Sequence, residues 1–118
     1  MIGGRAEPAL RRAGRKGDWY HSSATSAAKY ADRVPLIRAA AEEAGRPMPR
    51  LTARGWVEFD SPGGRHYSIR GTPDEMATEI RAFADAGVDH IAVWFETTDP
   101  DELVARMERF DRDVAPLV

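Results

Sequence analysis

Cysteine is absent from the 118-residue sequence. Its absence excludes a disulfide framework, a thiolate nucleophile and a cysteine-ligated metal, and nothing points to an oxidising compartment, so the cytoplasm is the expected location. Lysine is scarce as well. Lys16 and Lys29 are the only two and arginine supplies the other cations, a bias of a GC-rich coding sequence that carries no mechanism. No stretch approaches the ~20 apolar residues of a membrane span, and the first residues lack the apolar centre of a signal peptide. An excess of one charge is missing too: 17 basic and 19 acidic side chains are interspersed, for a formal net charge of −2. Neither a nucleic acid nor a membrane is an expected partner. There is no internal repeat and no low-complexity tract, and the length suits a single domain, residues 1–118, with one core.

What is present is an alternation of helical and strand patterns. EPALRRAGR predicts a short helix from Glu7 to Arg15, with Pro8 in the first turn and Gly17 at its end. DWYH suits a short strand. Tyr30, Val34, Ile37 and Ala41 recur at helical spacing between Thr25 and Ala44, with Pro35 placed to kink or split that helix. RLTARGWVEFD predicts a strand with Gly55 as a potential bulge, and SPGGRHYSIRG a loop. Thr72 and Asp99 each precede a proline and stand three residues before a glutamate, the pattern of a capped helix start. The helix after Thr72 is expected to bury Met76, Ile80 and Phe83, and the one after Asp99 to bury Leu103, Met107, Phe110 and Val114. From Val88 to Phe95 the chain is almost wholly apolar past Asp89 and His90, which predicts a strand covered on both faces, hence a parallel sheet in an α/β fold.

The chain opens with IGGRAEPAL. A glycine pair leading into a helix offers free N–H groups and a partial positive charge to an anion. Such a turn ordinarily follows a buried strand, and only Met1 and Ile2 precede it here. The plain alternative is a flexible terminus before a helix. GGR opening a helix, the segment EEAGRP, and GTPDEMATEIRAFADAGVDHIAVWF occur in an order and spacing that resemble the C-terminal part of bacterial-luciferase-like oxidoreductases. One departure is Asp18 followed directly by Trp19, where that family usually carries Asp-Gly-Trp. The resemblance implies a partial TIM (β/α)8 barrel, its C-terminal half with about strands 5 to 8, as a C-terminal fragment whose first half is absent. It also implies a non-covalent reduced flavin (FMN) or deazaflavin (coenzyme F-420), a small organic substrate, and either self-association or a complementary half barrel as partner. An inert half-barrel assembly or decoy module, and half of an unrelated phosphate-binding barrel, remain the alternatives.

By that resemblance Gly3, Gly4 and Arg5 are the cofactor-binding residues, cradling its phosphate. Tyr20, His21, Trp94, Phe95 and Glu96 fall at the C-terminal ends of predicted strands, where barrel enzymes place their sites. Each has a structural alternative: aromatic residues on a covered strand are core, and a lone histidine is a surface residue. His21 belongs to the pKa class of a general acid, but no catalytic residue is assigned. Asp89 and His90 lie at the opposite end of their strand, where polarity serves stability. No histidine has a second ligand at metal-binding spacing, so no metal site is expected.

Overall fold

The computed structural model describes residues 1–118 as five strands and five helices. In chain order these are β1 (Ile2–Gly3), α1 (Glu7–Lys16), β2 (Trp19–Ser23), α2 (Ala27–Ala31), α3 (Val34–Glu43), β3 (Arg50–Phe59), β4 (Ser68–Gly71), α4 (Pro73–Asp85), β5 (His90–Trp94) and α5 (Pro100–Asp113). A 3-10 turn over Ala115–Leu117 ends the chain. No helix is long and apolar enough to cross a membrane.

Every strand pair is parallel, so the fold is α/β with one all-parallel sheet. Ile2 and Gly3 pair with Tyr20 and His21, so the residues before the glycine turn are a true strand edge. β2 runs along residues 50–54 of β3, β5 along residues 52–56, and β4 along residues 56–59. Trp56 is in register with both Ser68 and Trp94, and a strand residue has one neighbour on each side. β5 therefore takes one edge of β3, while β4 continues the edge that β2 occupies earlier. The principal strands thus stand in chain order: β1, β2, β3, β5.

Parallel neighbours that are consecutive in the chain are joined by crossovers of one hand, which lays every connecting helix on the same face. The core sits under that face. Leu10 and Ala13 of α1, Tyr30 and Ile37 of α2 and α3, and Phe83 of α4 meet Tyr20, Leu51 and Ala53 from the sheet. A second cluster joins Val57 and Ile69 to Met76, Ala77, Ile80, Phe95 and Val114. The opposite face carries Trp19, His21, Arg54, Trp56, His90 and Trp94, none of which belongs to either cluster. The radius of gyration is 15.5 Å, against about 13.5 Å for a compact domain of this length, in keeping with a layer that has helices on one side only.

Four local expectations change. β5 is not covered on both faces: Ile91 and Val93 pack toward the helices while Trp94 is 50% exposed, because the winding sends all helices to one side. Within SPGGRHYSIRG, Ser68–Gly71 is a strand. Gly55 makes no bulge, since its ladder runs unbroken through Val93; a Cβ there would lie 2.9 Å from Ile69 Cδ1, so glycine admits that side chain. Met107 faces solvent at 52% exposure, and α5 meets the core through Leu103 and Phe110, with Val114 buried just beyond its end.

Other features form as their residues dictate. Pro35 splits the helical stretch into α2 and α3 at Asp32–Arg33, standing in the first turn of α3 where its missing N–H costs little. Thr72 and Glu75 form a reciprocal capping box, and Asp99 caps α5. Asp89 holds the start of β3 through both its backbone N–H to Leu51 O (2.8 Å) and its carboxylate accepting from Leu51 N (3.1 Å). Glu79 ties α4 to its neighbours, accepting from the Tyr67 hydroxyl and from Ala27 N at 2.8 Å.

α1 lies directly on α3, and Gly14 permits the approach: a Cβ there would stand 2.3 Å from Ile37 O and 2.8 Å from Ala40 Cβ. Helix propensity favours Gly14→Ala by about 1 kcal/mol, but the contact is with backbone and cannot yield without moving a helix. Overpacking of that kind costs about 1–3 kcal/mol, so G14A is expected to lower the melting temperature in a thermal unfolding experiment. A rise would mean that α1 is free to shift.

Candidate functional site

Gly4 forms the turn between β1 and α1 with φ +119°, a conformation that favours glycine, and a Cβ there would lie 2.9 Å from Ala9 Cβ. At Gly3 a Cβ would meet His21 O at 3.1 Å. The Tyr20 hydroxyl donates to Gly4 O at 2.8 Å and anchors the turn from beneath. α1 starts after Ala6, which has no side chain to cap it, and the N–H groups of Arg5 and Ala6 find no partner within the chain. Glu7, whose charge would repel an anion, is paired with Arg11 Nε at 2.9 Å. The Arg5 side chain is exposed. The turn therefore presents unpaired donors at the positive end of a helix, with little backbone freedom.

The remaining expected site residues separate into three environments. Tyr20 is fully buried on the helix side among Leu10, Tyr30 and Ile37, so its part in the site is the support of Gly4. Tyr20 and His21 stand within β2, not at its C-terminal end as expected, because the strand runs on to Ser23; His21 and Trp94, the last residue of β5, lie on the helix-free face. Phe95 is core, stacked on Phe59 at 6.4 Å and edge-on to Phe110 at 5.9 Å. Glu96 stands at the rim of a different hollow, a cleft of about 560 Å³ between the end of β3 and α5, with Glu58, Asp60, Glu102, Arg106 and Arg109. Acidic side chains outnumber basic ones there, and Arg109 is already held by Asp60 at 2.7 Å, so this cleft does not suit a phosphate.

His21 is defined by its neighbours. The Thr52 hydroxyl donates its one proton to Tyr20 O at 3.0 Å, which leaves its oxygen to accept from His21 Nδ1 at 2.9 Å. The neutral ring then carries its free lone pair on Nε2. Partial burial pushes the His21 pKa below its ordinary value, and the charges of Arg54 and His90 push the same way. The ring is suited to accept a proton or hydrogen bond at Nε2.

Sequence reasoning missed Arg54 and Trp56, which share this face. The Arg54 guanidinium lies 5.5 Å from the Trp56 ring centre and 5.3 Å from that of Trp94. His66 stacks on Trp56 at 6.0 Å. Strand alternation from Thr52 would have placed Arg54 and Trp56 together, but not Trp94, which arrives through β5.

This geometry defines a class: a sequentially wound parallel α/β layer with a glycine turn, its following N–H groups unpaired, at the C-terminal end of its first strand. No family model and no curated protein matches the chain. Solved structures match it over nearly its whole length. An F-420-dependent secondary alcohol dehydrogenase in complex with an F-420–acetone adduct superposes on 98% of the chain, with a TM-score of 0.76 and 18% identity. A coenzyme F-420-dependent tetrahydromethanopterin reductase from Methanopyrus kandleri covers 97% (TM-score 0.72, 18% identity), and an EDTA monooxygenase from Chelativorans sp. BNC1 covers 99% (TM-score 0.67, 18% identity). At 18% identity these matches show a shared fold along nearly the whole chain, in keeping with the resemblance read from the sequence. The chain spans about half the length of each: 47%, 49% and 43%.

A histidine whose pKa is lowered by folding binds its proton less readily than in the unfolded chain. Its contribution to stability is complete above the ordinary value of 6.5 and is lost as pH falls from there through the folded pKa. NMR titration is expected to show His21 neutral at pH 7 and titrating below 6.5, and Arg54→Met to raise its midpoint. An unchanged midpoint in R54M would remove Arg54 from the neighbourhood of the ring.

Proposed function

We propose that the chain is the C-terminal half of a bacterial-luciferase-like (β/α)8 barrel, from an oxidoreductase or monooxygenase that uses non-covalent FMN or coenzyme F-420 on a small organic substrate. The observation that carries this reading is the match of the entire chain to about half of each of three redox enzymes. The winding supports it: β1, β2, β3 and β5 stand in chain order with every helix outside, as four of eight staves would.

The glycine turn fits the phosphate of such a cofactor. Arg5 and Ala6 would hold it through their unpaired N–H groups, the α1 dipole would favour its charge, and a side chain at Gly4 would fill the cradle. When bound, the cofactor supplies the electron chemistry of hydride transfer or, for flavin, oxygen activation. His21 and Trp94 would line the pocket from the helix-free face, with His21 offering Nε2 as an acceptor, whereas Glu96 borders the separate cleft beside α5. No catalytic residue is assigned, because much of such a pocket is built from strands outside this chain.

The chain alone has half of a pocket and two open sheet edges, at β1 and β5, and is expected to self-associate or to bind a complementary half barrel. Those open edges, with Val104 and Met107 exposed on α5, also favour a second reading, an assembly module without catalysis. Half of a phosphate-binding barrel with unrelated chemistry is the third.

Equilibrium dialysis of the purified chain against FMN and against F-420, with its size measured by gel filtration, separates these readings. The expected result is a dimer or larger species that binds one cofactor, with affinity reduced about tenfold to a hundredfold in Gly4→Val, the cost of losing charge-assisted hydrogen bonds. Binding of phosphate but of neither cofactor would favour the unrelated barrel. An oligomer without either ligand would favour the assembly module, and a monomer without either an inert fragment.

A further inference from the structure

We propose that Arg54 anchors an anionic group of the substrate, a carboxylate or a phosphate, on the helix-free face of the sheet. The proposal deepens the reading above, in that it takes this face to be a pocket wall. Among the partly buried arginines, five have polar partners. Arg11 holds Glu7, Arg46 holds Asp18, Arg106 holds Glu102, Arg109 holds Asp60, and Arg33 donates to Ser22 and Thr25. Arg54 has none. No carboxylate, hydroxyl or carbonyl accepts from it, and its Nε is buried without a partner. The Nε of Arg46 is closed off in the same way, but the terminal nitrogens of Arg54 are unpaired without being closed off, and these are the donors a ligand can reach.

The setting of Arg54 makes it a receptor. Its register neighbours, Ser23 on β2 and Ala92 on β5, are small and leave room beside it. Trp56, two residues on, and Trp94, across on β5, lie within cation–π distance and hold the charge in place without neutralising it. Nothing acidic competes. His21 and His90 fill the next row of the face, and Glu58, the acid nearest along β3, accepts from Ser68 Oγ at 2.6 Å. A planar fork of donors kept free of protein acids matches the two oxygens of a carboxylate or phosphate. Trp56 and Trp94 would flank the body of a small planar or apolar acid.

Titration of the 118-residue chain with sodium acetate, benzoate and inorganic phosphate at constant ionic strength, read by tryptophan fluorescence, tests this. A saturable change with a carboxylate or with phosphate is expected, weakened about tenfold or more in Arg54→Met and only partly in Arg54→Lys, which keeps the charge but not the fork. Selectivity between the anions assigns the substrate's group. The Gly4→Val variant is expected to keep the carboxylate response while binding cofactor more weakly, so the two sites fail separately. Absence of saturation with all three anions, an equal response to chloride, or an R54M titration unchanged in a variant whose far-ultraviolet circular dichroism is intact would overturn the proposal.

Discussion

The structure rests on the winding of its sheet. Parallel neighbours that follow one another in the chain need crossovers of one hand, and four such strands in order send every helix to the same side. From this follow a core built on one face, an opposite face composed of arginine, histidine and tryptophan, and open edges at β1 and β5. A doubly wound sheet of the same elements would have covered Trp94 and Arg54 with helices and left no face for a ligand.

β3 is where the parts meet. It carries β2 on one edge and β5 on the other, takes β4 at its far end, and divides its residues by alternation between the two faces. Leu51, Ala53 and Val57 serve the core. Thr52, Arg54 and Trp56 serve the other side: Thr52 sets the tautomer of His21, burial and then the Arg54 charge lower its proton affinity, and Arg54 lies within cation–π reach of two indoles. The glycine turn belongs to the same design. Tyr20 reaches from the core side to Gly4 O, while its neighbour His21 faces the other way.

Local signals were legible in the sequence because they involve few residues. Thr72 with Glu75, Asp99 before Pro100, and Pro35 within the second helical stretch each act over a single turn, and each appears in the structure where its chemistry puts it. The strand Arg50–Phe59 was legible from its apolar weight. Burial of β5 was misread because an apolar run reports only that water is unwelcome, without saying what excludes it. Ser68–Gly71 was read as loop because so short a strand has no pattern of its own and exists by pairing with β3. Arg54 escaped notice because an arginine in a strand is unremarkable until its neighbours are known.

By itself, then, the sequence determined the α/β alternation, the capped helix starts, the break at Pro35 and the glycine turn that opens α1. These depend on hydrogen bonds and sterics within a few residues. Only the tertiary structure decided that the helices share one face, that Tyr20 is buried while His21 is not, and that Arg54 comes within reach of both Trp56 and Trp94 without a polar partner. Those outcomes depend on which strands lie side by side, a relation set by long-range pairing and by the hand of the crossovers rather than by any local run of residues.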